Sequence, residues 1–144
     1  MNYYMPTRLL TGEGVIAANS SLFAGFGDRC LIVSGKHAAK ESGALADVTQ
    51  ALAENNISYS VYDGITQNPP VAACMEAGKL ARESNASFLI GIGGGSSLDA
   101  AKAAAVFAAD EKLDEAGFYS GKWAKAPLPI ILVGTTSGTG SEVT

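Results

Sequence analysis

Short apolar runs alternate along this chain with longer segments in which apolar residues recur at helical spacing. Three runs, 30–33, 88–92 and 128–133, predict buried strands, and 57–62 predicts a strand because apolar and polar residues alternate there. Strands that alternate with helices are typical of right-handed βαβ units, so we expect a Rossmann-like α/β fold: a parallel sheet flanked by helices. An extended segment is expected at 6–10, helices at 15–26, 38–55, 71–85 and 97–109, and an irregular stretch at 110–126.

Within the predicted helices, the spacing of apolar residues identifies an inward face. Gly43 interrupts the helix 38–55 near its start, and Phe118, Tyr119 and Trp123 are expected to anchor the irregular stretch. The inward positions are Ala44, Leu45, Val48 and Leu52 in one helix, and Met75, Ala77, Leu80 and Ala81 in the next.

A run of three glycines joins the apolar strand 88–92 to the following helix. Gly93, Gly94 and Gly95 permit positive φ and leave the backbone open to a ligand. Ser96 stands where an N-cap is expected, with Asp99 as its capping-box partner. A bare turn before a helix N-terminus suits a phosphate group. The run matches the dinucleotide fingerprint only in part, because serine occupies the last glycine position, and tight packing without a ligand is the alternative.

Three further polar, glycine- or proline-bearing loops follow predicted strands, at 34–37, 67–70 and 134–141. Ligands of parallel sheets collect at the carboxyl ends of the strands, so these loops and the glycine run predict a nucleotide-binding crevice. The last loop is rich in hydroxyl groups and glycine but lacks the Gly-Lys-Ser/Thr of a phosphate-binding Walker A loop. A plain solvent-exposed terminus is the alternative for that segment.

Composition narrows the classes of function. The chain has 144 residues, 47% of them hydrophobic, and a net charge of -4, which favours one domain and gives no basic face for nucleic acid. No apolar run is long enough to span a membrane and no signal pattern is present, so we expect a cytoplasmic protein. Cys30 and Cys74 are predicted to be buried free thiols. His37 is the single histidine, so this chain cannot by itself form a His-rich metal site.

Two long motifs occur in order: Gly-Gly-Gly-Ser-Ser-Leu-Asp-Ala-Ala-Lys at 93–102 and Thr-Thr-Ser-Gly-Thr-Gly-Ser-Glu-Val at 135–143. With them, the sequence from residue 6 onward resembles the iron-containing (group III) alcohol dehydrogenases. The resemblance implies that residues 1–144 form an NAD(P)-binding domain of the dehydroquinate synthase-like kind. It also implies a helical C-terminal domain, absent from this chain, whose aspartate and three histidines hold Fe²⁺ or Zn²⁺.

The resemblance carries residue roles onto matching positions. Gly94, Gly95 and Ser96 would hold the cofactor pyrophosphate, Asp99 would lie near the cofactor, and Lys102 would be structural. Asn68 matches an asparagine on the cofactor side. The hydroxyl residues expected to line the adenosine and ribose side are Thr135, Thr136, Thr139 and Ser141.

The loop after the first predicted strand bears on the choice of cofactor. Gly35 stands where NAD-preferring members of the family carry aspartate, which would repel a 2′-phosphate. Glycine leaves room for that phosphate, and Lys36 can pair with it. We therefore expect NADP(H) rather than NAD(H). His37 either contributes to this contact or is merely exposed.

The resemblance implies hydride transfer between an alcohol and its aldehyde or ketone, with no catalytic or metal-binding residue in this chain. We expect the isolated chain to bind nucleotide weakly and to turn over nothing. The alternatives are a related enzyme, such as glycerol dehydrogenase, a sugar-phosphate dehydrogenase or dehydroquinate synthase, and a stand-alone nucleotide-binding module. An apolar face left by the absent domain could drive homo-oligomer formation.

Overall fold

A computed structural model describes residues 14–135 and contains one parallel sheet of four strands. The strands are β1 (Arg29–Ser34), β2 (Ser58–Tyr62), β3 (Phe88–Gly93) and β4 (Ile130–Gly134). Their order across the sheet is β2-β1-β3-β4, and every neighbouring pair runs parallel. Parallel strands need crossover connections, which the intervening helices supply. The predicted Rossmann-like α/β class is confirmed.

The helices flank the sheet on both faces. In chain order they are α1 (Val15–Ala18), a 3-10 helix (Ser20–Phe26), α2 (Ala38–Glu41), α3 (Ala44–Glu54), α4 (Val71–Glu83), α5 (Gly95–Ala109) and α6 (Glu115–Ser120). The two longest, α4 and α5, cover one face together.

Two predicted helices are each divided. The segment 15–26 is a short α-helix followed by a 3-10 helix, and the segment 38–55 breaks between α2 and α3. Gly43 has a φ of +82° at this break, a left-handed conformation that glycine adopts at little cost. The interruption expected at Gly43 therefore ends one helix and starts another.

The stretch 110–126 is not wholly irregular as predicted, because α6 forms within it. The carboxylate of Asp114 accepts a hydrogen bond of 2.7 Å from the backbone N–H of Gly117 and so caps this helix. Phe118 stacks on Phe107 with ring centroids 4.9 Å apart, and Trp123 stacks on Phe118 at 6.0 Å. Tyr119 is 68% exposed, so the prediction that it anchors this stretch is wrong.

Alternate residues of the central strands supply two separate cores. On one face, Leu31 and Leu89 pack with α4 and α5, and on the other Ile32 and Ile90 pack with α3. Burial on both faces explains why β3 is apolar throughout its length. The outer strand β2 differs from β3, because none of its residues is buried. The inward positions confirmed as buried are Ala44, Val48, Leu52, Ala77 and Ala81, whereas Leu45, Met75 and Leu80 are only partly buried.

Small residues bring α5 close to both the sheet and α4. A Cβ added to Gly91 on β3 would lie 2.6 Å from the Cβ of Ala101 on α5. A Cβ added to Gly78 on α4 would lie 2.7 Å from the Cβ of Phe107. These contacts leave no volume for a larger side chain and fix α5 against β3, which sets the position of its N-terminus at the carboxyl end of the sheet.

Candidate functional site at the carboxyl edge of the sheet

The strand order creates a topological switch point between β1 and β3. The chain leaves β1 toward β2 on one side, and then crosses over to β3 on the other. Ser34 pairs with Ile92 and Gly93 pairs with Gly134, so the ends of β1, β3 and β4 lie level with one another. Loops that diverge from such a point leave a crevice, the usual ligand site of open parallel sheets.

The glycine run forms a bare turn at this crevice. Gly93 ends β3 with a φ of +142°, a conformation that side-chain-bearing residues rarely adopt. A Cβ there would also lie 2.8 Å from Oγ of Ser97. Gly94 is the N-cap of α5 and Gly95 is its first residue. The backbone at the start of α5 is therefore free of side chains, with the positive end of the helix dipole behind it.

The predicted N-cap is wrong by two residues. Gly94, not Ser96, occupies the cap, and no side chain accepts a hydrogen bond at that position. Ser96 lies inside the first turn because the glycine run lets the helix begin earlier than a serine cap would. Asp99 does not close a capping box; its carboxylate lies 3.7 Å from the ammonium of Lys102 instead.

The structure brings two predicted site residues together across the crevice. The backbone N–H of Asn68 donates a hydrogen bond of 3.3 Å to Oγ of Ser96. Asn68 has a φ of +51°, a left-handed conformation that asparagine tolerates better than most residues. Since the Ser96 hydroxyl accepts this bond, its own proton remains available to donate to a ligand.

The loop after β1 lies beside the loop after β2. The backbone N–H of Ile65 donates to the carbonyl of the buried Ser34 at 3.2 Å, and a Cβ on Gly35 would lie 3.0 Å from the carbonyl oxygen of Ile65. The ammonium of Lys36 lies 3.7 Å from the carboxylate of Asp63. His37 next to it is exposed. Lys36 thus already has an anionic partner in the unliganded chain.

Thr135 follows β4 and connects it to the glycine turn. Its backbone N–H donates to the carbonyl of Gly93 at 2.9 Å. Its Oγ1 is buried and has no hydrogen-bond partner among residues 14–135. A buried hydroxyl without a partner is costly, which is compatible with a ligand atom at this position. The other predicted residues of this loop, Thr136, Thr139 and Ser141, lie outside the described residues.

Sequence reasoning gave no role to Asp63, which the structure places beside Lys36. The available signal was an acidic residue directly after a strand of a predicted parallel sheet. It also missed a cavity of about 260 Å³ beside α5, which Phe118 and Trp123 line from the stretch expected to be irregular. The cavity is mostly apolar; its lining includes Asp99, Lys102, Val106, Phe118, Trp123 and Leu128.

The remaining reactive groups of the described chain do not form a second centre. Cys30 and Cys74 are buried free thiols, as predicted. Burial raises the pKa of Cys30 to about 12 and also raises the pKa of Cys74, so neither is a ready nucleophile at neutral pH. No group of three His, Cys, Asp or Glu residues that could hold a metal occurs within 14–135. None of the described helices is long and apolar enough to cross a membrane.

The sequence matches known proteins over nearly all of its length. A family model described as iron-containing alcohol dehydrogenase matches residues 6–144. NADH-dependent butanol dehydrogenase A from Clostridium acetobutylicum is 34% identical over 144 residues, covering 99% of this chain and 36% of that relative. An NADPH-dependent aldehyde reductase from Escherichia coli is 36% identical over 144 residues, covering 98% of this chain and 36% of the relative.

Solved structures agree with this relationship. The crystal structure of an iron-containing alcohol dehydrogenase from Thermotoga maritima matches with a TM-score of 0.92 and 37% identity, over 99% of this chain and 40% of that one. The chain thus spans little more than a third of the length of the two curated relatives. A match over nearly all of its residues, in sequence and in fold, shows that the chain belongs to the iron-containing alcohol dehydrogenase family.

Proposed function

We propose that this chain is the dinucleotide-binding domain of a metal-dependent alcohol dehydrogenase that interconverts alcohols with aldehydes or ketones, and that it prefers NADP(H). The observation that carries the proposal is the bare glycine turn at the start of α5, joined to the opposite loop by the contact between Asn68 and Ser96. In this proposal residues 1–144 form the cofactor domain, and a separate helical domain of the longer protein holds the metal.

The residues present fit a dinucleotide. A pyrophosphate needs backbone N–H donors and close approach, and the start of α5 supplies both because Gly94 and Gly95 have no side chains. The hydroxyl proton of Ser96 adds a donor beside these amides. The unpartnered Oγ1 of Thr135 supports a further polar contact from the β4 side. Asp99 lies in the same helical turn and is expected to border the cofactor.

The preference for NADP(H) rests on Gly35 and Lys36. Gly35 carries no negative charge that would repel a 2′-phosphate, and the exposed ammonium of Lys36 can turn toward one. The names of the relatives include both an NADH-dependent and an NADPH-dependent enzyme, so family membership leaves either cofactor open for this chain. The alternative within the family is therefore the same domain with a preference for NAD(H).

The chemistry divides between this domain and the rest of the enzyme. A bound nicotinamide dinucleotide would accept the hydride from the alcohol carbon in its oxidised form and would donate it to the carbonyl carbon in its reduced form. The described residues bind and orient the cofactor, and we assign none of them as a general acid or base. Residues 14–135 contain no group of three His, Cys, Asp or Glu side chains that could hold a metal, and in this proposal the separate helical domain holds it. We expect no alcohol oxidation by the isolated chain; measurable metal-dependent turnover would contradict this.

A calorimetric titration of the 144-residue chain with NADP⁺ and NAD⁺ tests the proposal. Wild type is expected to bind NADP⁺ more tightly. The variant Gly35→Asp is expected to lose at least about tenfold in NADP⁺ affinity, since it places a carboxylate against the 2′-phosphate. Gly35→Ala is the matched control, because it adds the same Cβ, 3.0 Å from the Ile65 carbonyl, without a charge.

The outcomes separate the parts of the proposal. Equal losses in Gly35→Asp and Gly35→Ala would show that crowding at Ile65, not charge, governs this position. Tighter binding of NAD⁺ by wild type would overturn the NADP(H) preference while leaving the cofactor domain supported. Binding of neither dinucleotide would contradict cofactor binding by this chain alone.

A further inference from the structure

The ion pair between Lys36 and Asp63 joins the two loops that border the proposed 2′-phosphate position. The ammonium and carboxylate lie 3.7 Å apart, and the side chains are 68% and 47% exposed. Pairs this exposed are worth little in water, so the lysine can exchange one anionic partner for another. Asp63 and a 2′-phosphate would therefore compete for the same cation.

The surrounding backbone keeps the two residues within reach of each other. Val33 pairs with Tyr62, so Lys36 and Asp63 follow β1 and β2 from positions level in the sheet. The hydrogen bond from Ile65 to Ser34 then ties the second loop to the end of the first strand. Because this bond involves a buried residue, the approach of Asp63 to Lys36 does not depend on the two exposed side chains alone.

We propose that Asp63 is a specificity-determining residue that restrains the preference for NADP(H) by holding Lys36. This inference rests on the proposed function, because it concerns how the same cofactor site discriminates between two dinucleotides. The carboxylate of Asp63 offsets the charge of Lys36 in the free chain, and a 2′-phosphate must displace it. NAD(H) has a neutral 2′-hydroxyl at that position, so it can bind without displacing Asp63 from Lys36.

Neutralising Asp63 is the direct test. In Asp63→Asn, Lys36 loses the anion that competes with the 2′-phosphate. The ratio of the NAD⁺ to the NADP⁺ dissociation constant is therefore expected to rise about two- to fivefold over wild type, which corresponds to the usual free energy of an exposed ion pair. The matched control is Asp28→Asn. Asp28 is exposed and precedes β1 at the opposite edge of the sheet, so its removal makes the same change in net charge far from the crevice.

A second background shows whether Asp63 acts through Lys36. In Lys36→Met, adding Asp63→Asn is expected to change the ratio by less than half as much as in wild type, because no cation remains to be released. Calorimetry with NADP⁺ and NAD⁺ on the four chains of this cycle gives the ratios. Circular dichroism checks that each variant keeps the fold.

Each outcome decides the inference. An equal rise in the Lys36→Met background would mean that Asp63 repels the phosphate directly, and would overturn the assignment. So would an unchanged ratio in Asp63→Asn, even with NADP⁺ bound well by wild type. A wild type that prefers NAD⁺ but shifts toward NADP⁺ in Asp63→Asn would contradict the proposed cofactor preference and support this inference. If none of the chains bound either dinucleotide, both proposals would fail.

Discussion

The two loops that meet at the crevice are built in opposite ways. The glycine turn after β3 lies against the buried Ser97, and at Gly93 even a methyl group does not fit. The loop after β1 ends in exposed charged side chains whose one described ion pair lies in solvent. One loop is specified by packing and the other by charge.

This difference separates what the site can bind from what it prefers. The glycine turn offers donors that any phosphate can use, and altering it disturbs the core beneath. The charges on the other loop contribute little to folding, so they can change with little effect on stability. Substitutions in the first loop should therefore act on stability and binding together, and substitutions of the charged residues in the second should act mainly on cofactor preference.

The largest effect is expected from Gly93→Ala. Alanine there must adopt a φ of +142° and crowd Ser97, whereas Gly43→Ala, at a φ of +82°, meets no atom within 4 Å. We expect Gly93→Ala to lower the free energy of unfolding by more than about 2 kcal/mol, and Gly43→Ala by about 1 kcal/mol. Urea denaturation measures both. Equal losses would mean that the turn is not specified by packing.

A smaller effect is expected from Ser96→Ala, which removes the acceptor of the Asn68 N–H. The loss of one exposed hydrogen bond should cost no more than about 1 kcal/mol of stability. Dinucleotide affinity should fall as well, because a donor near the start of α5 is lost. Thr49→Ala is the control, since its hydroxyl bonds the Ala46 carbonyl on α3. A loss of affinity in both variants would argue against a specific role for Ser96.

The smallest effect on folding is expected from Lys36→Met. Breaking the exposed pair with Asp63 should change the free energy of unfolding by less than about 0.5 kcal/mol, while the affinity for NADP⁺ falls. Lys79→Met, on the exposed side of α4, should leave both unchanged. A large loss of stability in Lys36→Met would show that this loop, too, contributes to the core.

Much of the fold followed from the sequence because the buried strands are apolar enough to be recognised without context. The strands at 30–33 and 88–92 were predicted within one residue of their ends, and the glycine run between strand and helix was placed correctly. These features can be recognised from local composition, because a parallel strand buried on both faces is a nearly continuous run of apolar residues.

The errors arose where neighbouring residues or distant parts of the chain override the local pattern. Ser96 satisfies every local rule for an N-cap, yet the glycines before it allow α5 to start sooner. The helix α6 is stabilised by stacking of Phe118 on Phe107. A local sequence pattern does not predict this contact, because Phe107 lies on another helix. Asp63 could not be recognised from the sequence, because only the pairing of β2 with β1 brings it close to Lys36.

The pairing of β1 with β3 has a consequence for the order of events during synthesis. Cys30 pairs with Phe88, so β1 stays without one of its two neighbours until the chain has been made well beyond β2 and α4. The first half emerging from the ribosome can form only the β1–β2 pair, an edge open to wrong partners. The crevice lies between the ends of β1 and β3, so it cannot form before β3 has been synthesised.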